Sequence, residues 1–168
     1  MLRAEVKRPR LYLLLAVPVV LVTAHLRLPD GLDGWFWSSG FLGSGFRDDT
    51  AYASSYSEKA FQAVKKGMSE VHVGELAGPP LKEEWWYEGN DTVTIEDGLV
   101  RHISGGTRRE LSQLREGTPR ERVLAIGGAP LKEVWVYSRS PHDQSYRVRA
   151  VVFKGARVTE KIQRFYVD

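Results

Sequence analysis

The chain has 168 residues, 42% hydrophobic and 27% charged, with 24 basic and 21 acidic side chains and no cysteine. That length suits one ordinary domain or two small ones. The missing thiols exclude disulfides, thiolate nucleophiles, thiol-based zinc sites and a lipid-modified cysteine, while leaving export open. The pI of about 9.2 has a local source, because Arg3, Lys7, Arg8 and Arg10 precede an apolar run. Setting residues 1–24 aside leaves 20 basic against 20 acidic side chains. A neutral remainder offers no electrostatic footprint for phosphate backbones, which argues against nucleic acid as a partner.

Residues 1–26 are expected to be a signal peptide or a membrane anchor. The stretch LYLLLAVPVVLVTA at 11–24 follows a basic n-region, as an export signal does. It is short beside the roughly 20 apolar residues of a spanning helix. It ends Val22-Thr23-Ala24, suited to signal-peptidase cleavage, with Pro18 breaking the helix just before. In the anchor reading His25 and Leu26 lengthen the run, and the four basic residues stay on the cytoplasmic side. The membrane is then a partner through this segment. Both readings place the remainder in the periplasm or cell envelope.

Residues 27–55 read as a Gly/Ser/aromatic linker, with Trp35, Phe36, Trp37, Phe41 and Phe46 among the glycines and serines. These aromatics either mark a membrane interface or pack on the folded part. The adjacent carboxylates Asp48 and Asp49 read as a solvated turn.

From residue 57 the pattern becomes regular. A short helix over 57–66, with Ala60, Phe61 and Val64 as its apolar stripe, is expected to stop at Gly67. Ser69 caps a second helix that buries Val73 and Leu76 and ends at Gly78 before Pro79-Pro80. Strands are expected over 83–87, 92–96 and 99–103, with a hairpin turn at Asp97-Gly98. After Gly105-Gly106 the order recurs. Leu111 and Leu114 make a stripe stopped by Gly117. Thr118 precedes Pro119 at the first helical position, and Thr118-x-x-Glu121 reads as a capping box. Val123 and Ile126 are buried, Gly128 and Pro130 close the helix, and strands follow over 133–137, 145–153 and 157–166, with a turn at Lys154-Gly155.

The recurrence is an internal repeat. Residues 64–87 and 114–137 align at an offset of 50 without a gap, and nine of the 24 pairs are identical. They are Gly67/Gly117, Val73/Val123, Gly78/Gly128, Pro80/Pro130, Leu81/Leu131, Lys82/Lys132, Glu83/Glu133, Trp85/Trp135 and Tyr87/Tyr137. A repeat of this period means one supersecondary unit used twice. The expected fold class is α+β: two tandem helix–helix–three-strand antiparallel units, at 56–104 and 105–168, after an N-terminal apolar helix.

Strand alternation puts Trp85 with Tyr87, and Trp135 with Tyr137, on the helix-covered side. Trp86 and Val136 point the other way. Arg147 and Arg149 join them if Val148, Ala150 and Val152 face the helices. An exposed Trp beside two arginines suits an interaction surface; alternatively the open faces of the two units pack together and bury Trp86. Trp86, Val136, Arg147 and Arg149 are therefore the candidate partner-binding residues.

Chemistry is sparse. His25, His72, His102 and His142 have no partner at metal-ligand spacing, so no metal and no cofactor are expected. His142-Asp143 are sequence neighbours that seldom orient each other as a catalytic dyad. No nucleophile elbow or phosphate cradle is present. The expectation is a non-enzymatic protein with no small-molecule substrate inferred.

The pattern Gly-Met-Ser-x-x-x-Val-x-x-Leu-x-Gly-x-Pro at 67–80, followed by Trp85-x-Tyr87, resembles the BamE (SmpA/OmlA) family. The second copy at 117–137 resembles it too, down to a hairpin ending Phe-Tyr-Val-Asp. A tandem of such units is also similar to the β-lactamase inhibitory protein fold. The resemblance covers residues 57–168 and implies a non-enzymatic binding or scaffold protein of the bacterial cell envelope, with another envelope protein as partner. The alternative that it implies is a secreted inhibitor of another protein. BamE-type members are usually lipoproteins, and this chain has no cysteine to carry the lipid.

Overall fold

A computed structural model describes residues 48–166. The elements in chain order are β1 (Ala51–Tyr52), α1 (Glu58–Ala63), α2 (Glu70–Ala77), β2 (Lys82–Trp86), β3 (Thr92–Glu96), β4 (Leu99–Ser104), α3 (Arg120–Gly127), β5 (Lys132–Val136), β6 (Ser138–Arg139), β7 (Tyr146–Lys154) and β8 (Arg157–Tyr166). Single 3₁₀ turns lie at Glu88–Asn90 and Leu111–Gln113. The apolar segment 1–26 and residues 27–47 of the aromatic stretch lie outside the described residues, as do Val167 and Asp168.

Local chemistry explains the boundaries. Ser57 and Ser69 accept from the backbone N–H groups of Ala60 (3.5 Å) and His72 (3.3 Å), which caps α1 and α2. Gly78 and Gly128 end α2 and α3 at φ 73° and 71°, backbone that residues with a Cβ rarely adopt. Two positive φ angles in succession, 52° and 75° at Asp97-Gly98 and 56° and 58° at Gly155-Ala156, turn the two hairpins. Such turns match the right-handed twist of the strands they join.

The main sheet is antiparallel, ordered β4-β3-β2-β5-β7-β8, and β1 pairs with β6 apart from it. β2 and β5, which carry the two copies of the Trp-x-Tyr motif, lie side by side at its centre, with Lys82 opposite Val136 and Trp86 opposite Lys132. The fold is thus α+β with one antiparallel sheet of six strands and three α-helices among the described residues. The described residues form one compact unit.

The helices cover the sheet crosswise. Phe61 and Val64 from the α1 segment and Val73 and Ala77 from α2 pack with Trp135, Tyr137, Val151, Phe153 and Val158, all C-terminal to α3. Leu111, Leu114 and Val123 pack in turn with Trp85, Tyr87, Val93, Ile95 and Val100 of β2–β4. Backbone bonds repeat the exchange. Gly67 donates to Val158 and Val158 to Met68, while Gly117 donates to Val100 and Val100 to Thr118, at 2.8–2.9 Å. Tyr87 Oη donates to the Gly128 carbonyl (3.2 Å) and Tyr137 Oη to the Gly78 carbonyl (3.1 Å). Neither stretch closes a core alone, so the two fold as one body.

Several expectations need correction. α1 ends at Ala63, and Gly67 instead forms the turn before α2 at φ 88°. Its counterpart Gly117 does the same at φ 80°. The stripe at Leu111 and Leu114 makes only a 3₁₀ turn, although both side chains are buried. The capping box does not form, because Thr118 Oγ1 accepts from the Arg115 N–H (3.1 Å) and leaves α3 without a side-chain cap. Residues 48–55 belong to the folded part: β1 pairs with β6 and Ala53 enters the core.

Candidate functional site

Register assigns every strand side chain to one of two faces. Cross-strand partners share a face, so the core residues Trp135, Val151 and Phe153 define the helix side. On the other side the row Glu84, Val134, Val152, Glu160 runs beside the row Lys82, Val136, Ala150, Ile162. All the described helices pack on the helix side, and this outer face meets none of them.

The outer face is uneven. Over β4, β3 and β2 it carries His102, Ser104, Thr92, Thr94, Glu96, Leu99, Lys82 and Glu84, and Lys82 pairs with Glu84 at 2.7 Å. Over β5, β7 and β8 it carries Val134, Val136, Val148, Ala150, Val152 and Ile162, with Lys132, Glu160 and Arg164 around them. Trp86 stands at the border. Its ring lies 3.9 Å beneath Lys132 Nζ, and its indole N–H has no acceptor among the described residues. Such an unpaired buried donor is costly until an acceptor reaches it. A cleft of about 510 Å³, lined by Pro79, Pro80, Leu81, Lys82, Val136 and Arg139 among others, opens beside the Val136 end of the apolar half.

The four sequence-predicted residues divide. Trp86 and Val136 lie on the outer face, both half-buried. Arg147 and Arg149 do not, which corrects their expected placement. Val151 and Phe153 face the helices, so Arg149 and Arg147, two and four positions before Val151, face them too. Arg149 is 1% exposed, with its Nε 3.3 Å from Glu58 Oε2. Glu58 also accepts from Tyr56 Oη. Arg147 Nε reaches Asp48 Oδ2 at 2.8 Å. Both arginines hold the N-terminal part of the fold against β7.

The structure also brings together groups that sequence spacing had not linked. Glu83 and Glu133 lie on the helix side at the β2–β5 seam, Glu83 opposite Trp135 and Glu133 opposite Trp85. Trp85 Nε1 donates to Glu83 Oε2 at 3.0 Å, and Trp135 Nε1 donates to Glu133. Arg120, the first residue of α3, reaches both carboxylates, with Nε 2.9 Å from Glu83 Oε2 and Nη2 3.5 Å from Glu133 Oε1. Its guanidinium stacks 4.8 Å from the Trp85 ring centre. Burial, together with the hydrogen bond that its protonated form donates to Glu133, pushes the Glu83 carboxyl up to about 7. Burial also raises Glu133, against the lowering pull of the Trp135 and Glu83 bonds. The sequence signal was an acidic residue kept two positions before the Trp in both copies.

Two further carboxylates anchor loops. Asp91 is 1% exposed and accepts from the backbone N–H groups of Gly106, Thr107 and Arg108 at 2.8, 3.1 and 2.7 Å. These bonds, led by that from Gly106, hold its carboxyl well below the usual range. Asp49, expected in a solvated turn, accepts from Ser140 Oγ (2.6 Å) and the His142 N–H (2.8 Å), and lies 2.9 Å from His142 Nδ1. Bonds from Ser140 and His142 bring its carboxyl down to about 2. Because Ser140 bonds to the acid rather than to the imidazole, this is a loop clasp without the nucleophile–base contact that acyl transfer needs.

Among the described residues no group of three His, Asp or Glu side chains is placed to hold a metal ion, and no helix is long and apolar enough to cross a membrane. No family model, curated protein or solved structure matches the chain.

Proposed function

We propose that the chain is a non-enzymatic binding or scaffold module of the cell envelope, exported and either membrane-tethered or released, built from two tandem BamE-like units behind an N-terminal apolar helix, the second unit having a 3₁₀ turn in place of its first helix. Its working surface is the apolar half of the outer sheet face, from Val134 and Val136 to Ile162, with Trp86 as the aromatic anchor at its border. The partner is another envelope protein. One observation carries the reading: on β5 and β7 the outer face is a run of Val134, Val136, Val148, Ala150 and Val152, bordered by Lys132, Glu160 and Arg164, and the described helices do not cover it. Val134, Val136, Val148 and Ile162 are half-buried there and Ala150 and Val152 buried, so the half-buried positions are the ones a partner would meet. The crosswise packing supports the tandem reading, because equivalent residues at the offset of 50 make equivalent bonds.

The test is photo-crosslinking in intact cells from a photoreactive residue at position 86, paired with the phenotype of Trp86→Ala. Capture of one defined envelope protein and loss of function in the variant are the expected results. No capture together with no phenotype contradicts the surface assignment. Sequencing the N-terminus of the mature protein separates the two export routes: a start at His25 means release by cleavage, and an intact Met1 means an anchor.

A further inference from the structure

We propose that Glu83 and Glu133 share one proton and act as a proton-operated latch on the β2–β5 seam, closed while the proton is held and loosened when both carboxylates ionise. The seam is where the two repeated stretches meet, and the pair sits on its helix side. Every element packed there bears on the charge count. β2 and β5 contribute the two glutamates and the indole N–H groups of Trp85 and Trp135. α3 contributes Arg120, and α2 contributes Glu70, which acts electrostatically on both Arg120 and Glu133. The cross-strand neighbours on β3 and β7 are Ile95 and Phe153, both apolar and buried. Three carboxylates therefore face one guanidinium in a partly buried site, where Glu133 is 4% exposed. Two carboxyl groups within bonding reach do not both ionise readily there; a shared proton turns repulsion into a hydrogen bond.

The sign follows from linkage. Glu83, pushed to about 7 by burial and by its bond with Glu133, lies above its ordinary 4.5. The latch therefore contributes its full stability below about 4.5 and loses it as pH rises through about 7. Asp48, Asp49, Glu58 and Asp91 are shifted the opposite way, so their contributions change only at more acid pH. Arg120 opens α3, and Glu70, its counterpart at the offset of 50, opens α2, so ionisation acts on the starts of both helices.

Denaturant unfolding of the full chain across pH is the test. The unfolding equilibrium constant is expected to rise by up to about tenfold per pH unit between roughly 5 and 7, the slope of one linked proton. Glu83→Gln, which keeps the hydrogen bond without the titration, is expected to flatten that slope. An equal slope in wild type and variant overturns the latch. If the variant fails to fold, infrared spectroscopy of the wild type decides alone. A protonated carboxyl band at pH 6 that disappears by pH 8 supports the shared proton, and its absence at pH 6 refutes it.

Discussion

The helix side of the sheet is nearly the same in its two halves, and the outer side is not. Beneath the helices Trp85 and Trp135 each bond to a glutamate, and Tyr87 and Tyr137 each reach the carbonyl of a helix-ending glycine. Across the sheet, Thr94 and Glu84 give way to Val134 and Val152 along one row. Lys82 and Lys132 aside, duplicated residues held to one pattern on one face and released on the other separate two demands. The helix side carries the packing that both halves need to fold, and the outer side is free to specialise. The apolar half is where it has done so.

The strongest way to break the comparison is to cut its shared side. Trp85→Ala and Trp135→Ala each remove a buried indole, and each is expected to cost about 3–5 kcal/mol. Because each helix group covers the other stretch's strands, both variants should still unfold in one transition, read by circular dichroism and tryptophan fluorescence together. Two separated transitions would show halves that stand independently. A milder cut removes the crosswise hydroxyl bonds. Tyr87→Phe and Tyr137→Phe are expected to cost about 0.5–1.5 kcal/mol each, at matching sizes. A large effect in only one of them would break the equivalence. The smallest effect lies on the border of the two outer halves. Lys132→Ala removes the cation over Trp86 and should cost about 0.5–1 kcal/mol, measured by the denaturation midpoint.

What was legible in the sequence was what local chemistry decides. Ser69, Gly78, Asp97-Gly98 and the strand 92–96 act through their own neighbours, and the structure has them as the pattern implied. The faces of β2 and β5 were legible as well, because Trp85, Trp86 and Tyr87 are constrained by their counterparts in the second copy. β7 was not. Ala150, Val151, Val152 and Phe153 are all buried, and a continuous apolar run has no period from which to read a face. The arginines before it were consequently assigned to the wrong side. Their partners Glu58 and Asp48 lie more than ninety residues away in the chain, at separations of 91 and 99. The Glu83–Glu133 pair was visible only as two identical residues of a repeat. Its chemistry depends on the register that sets β2 against β5, which no local pattern encodes. Leu111 and Leu114 show the reverse case: their burial was legible, but the helix expected to carry them was not formed.

The central claim is that the two outer halves differ in use as they differ in composition. Placing the same photoreactive residue in turn at Val136 on the apolar half and at Thr94 on the polar half, in intact cells, tests it most directly. Capture of one defined envelope protein from position 136 and none from position 94 is the expected result. Capture from position 94 alone, or equal capture from both, would contradict it.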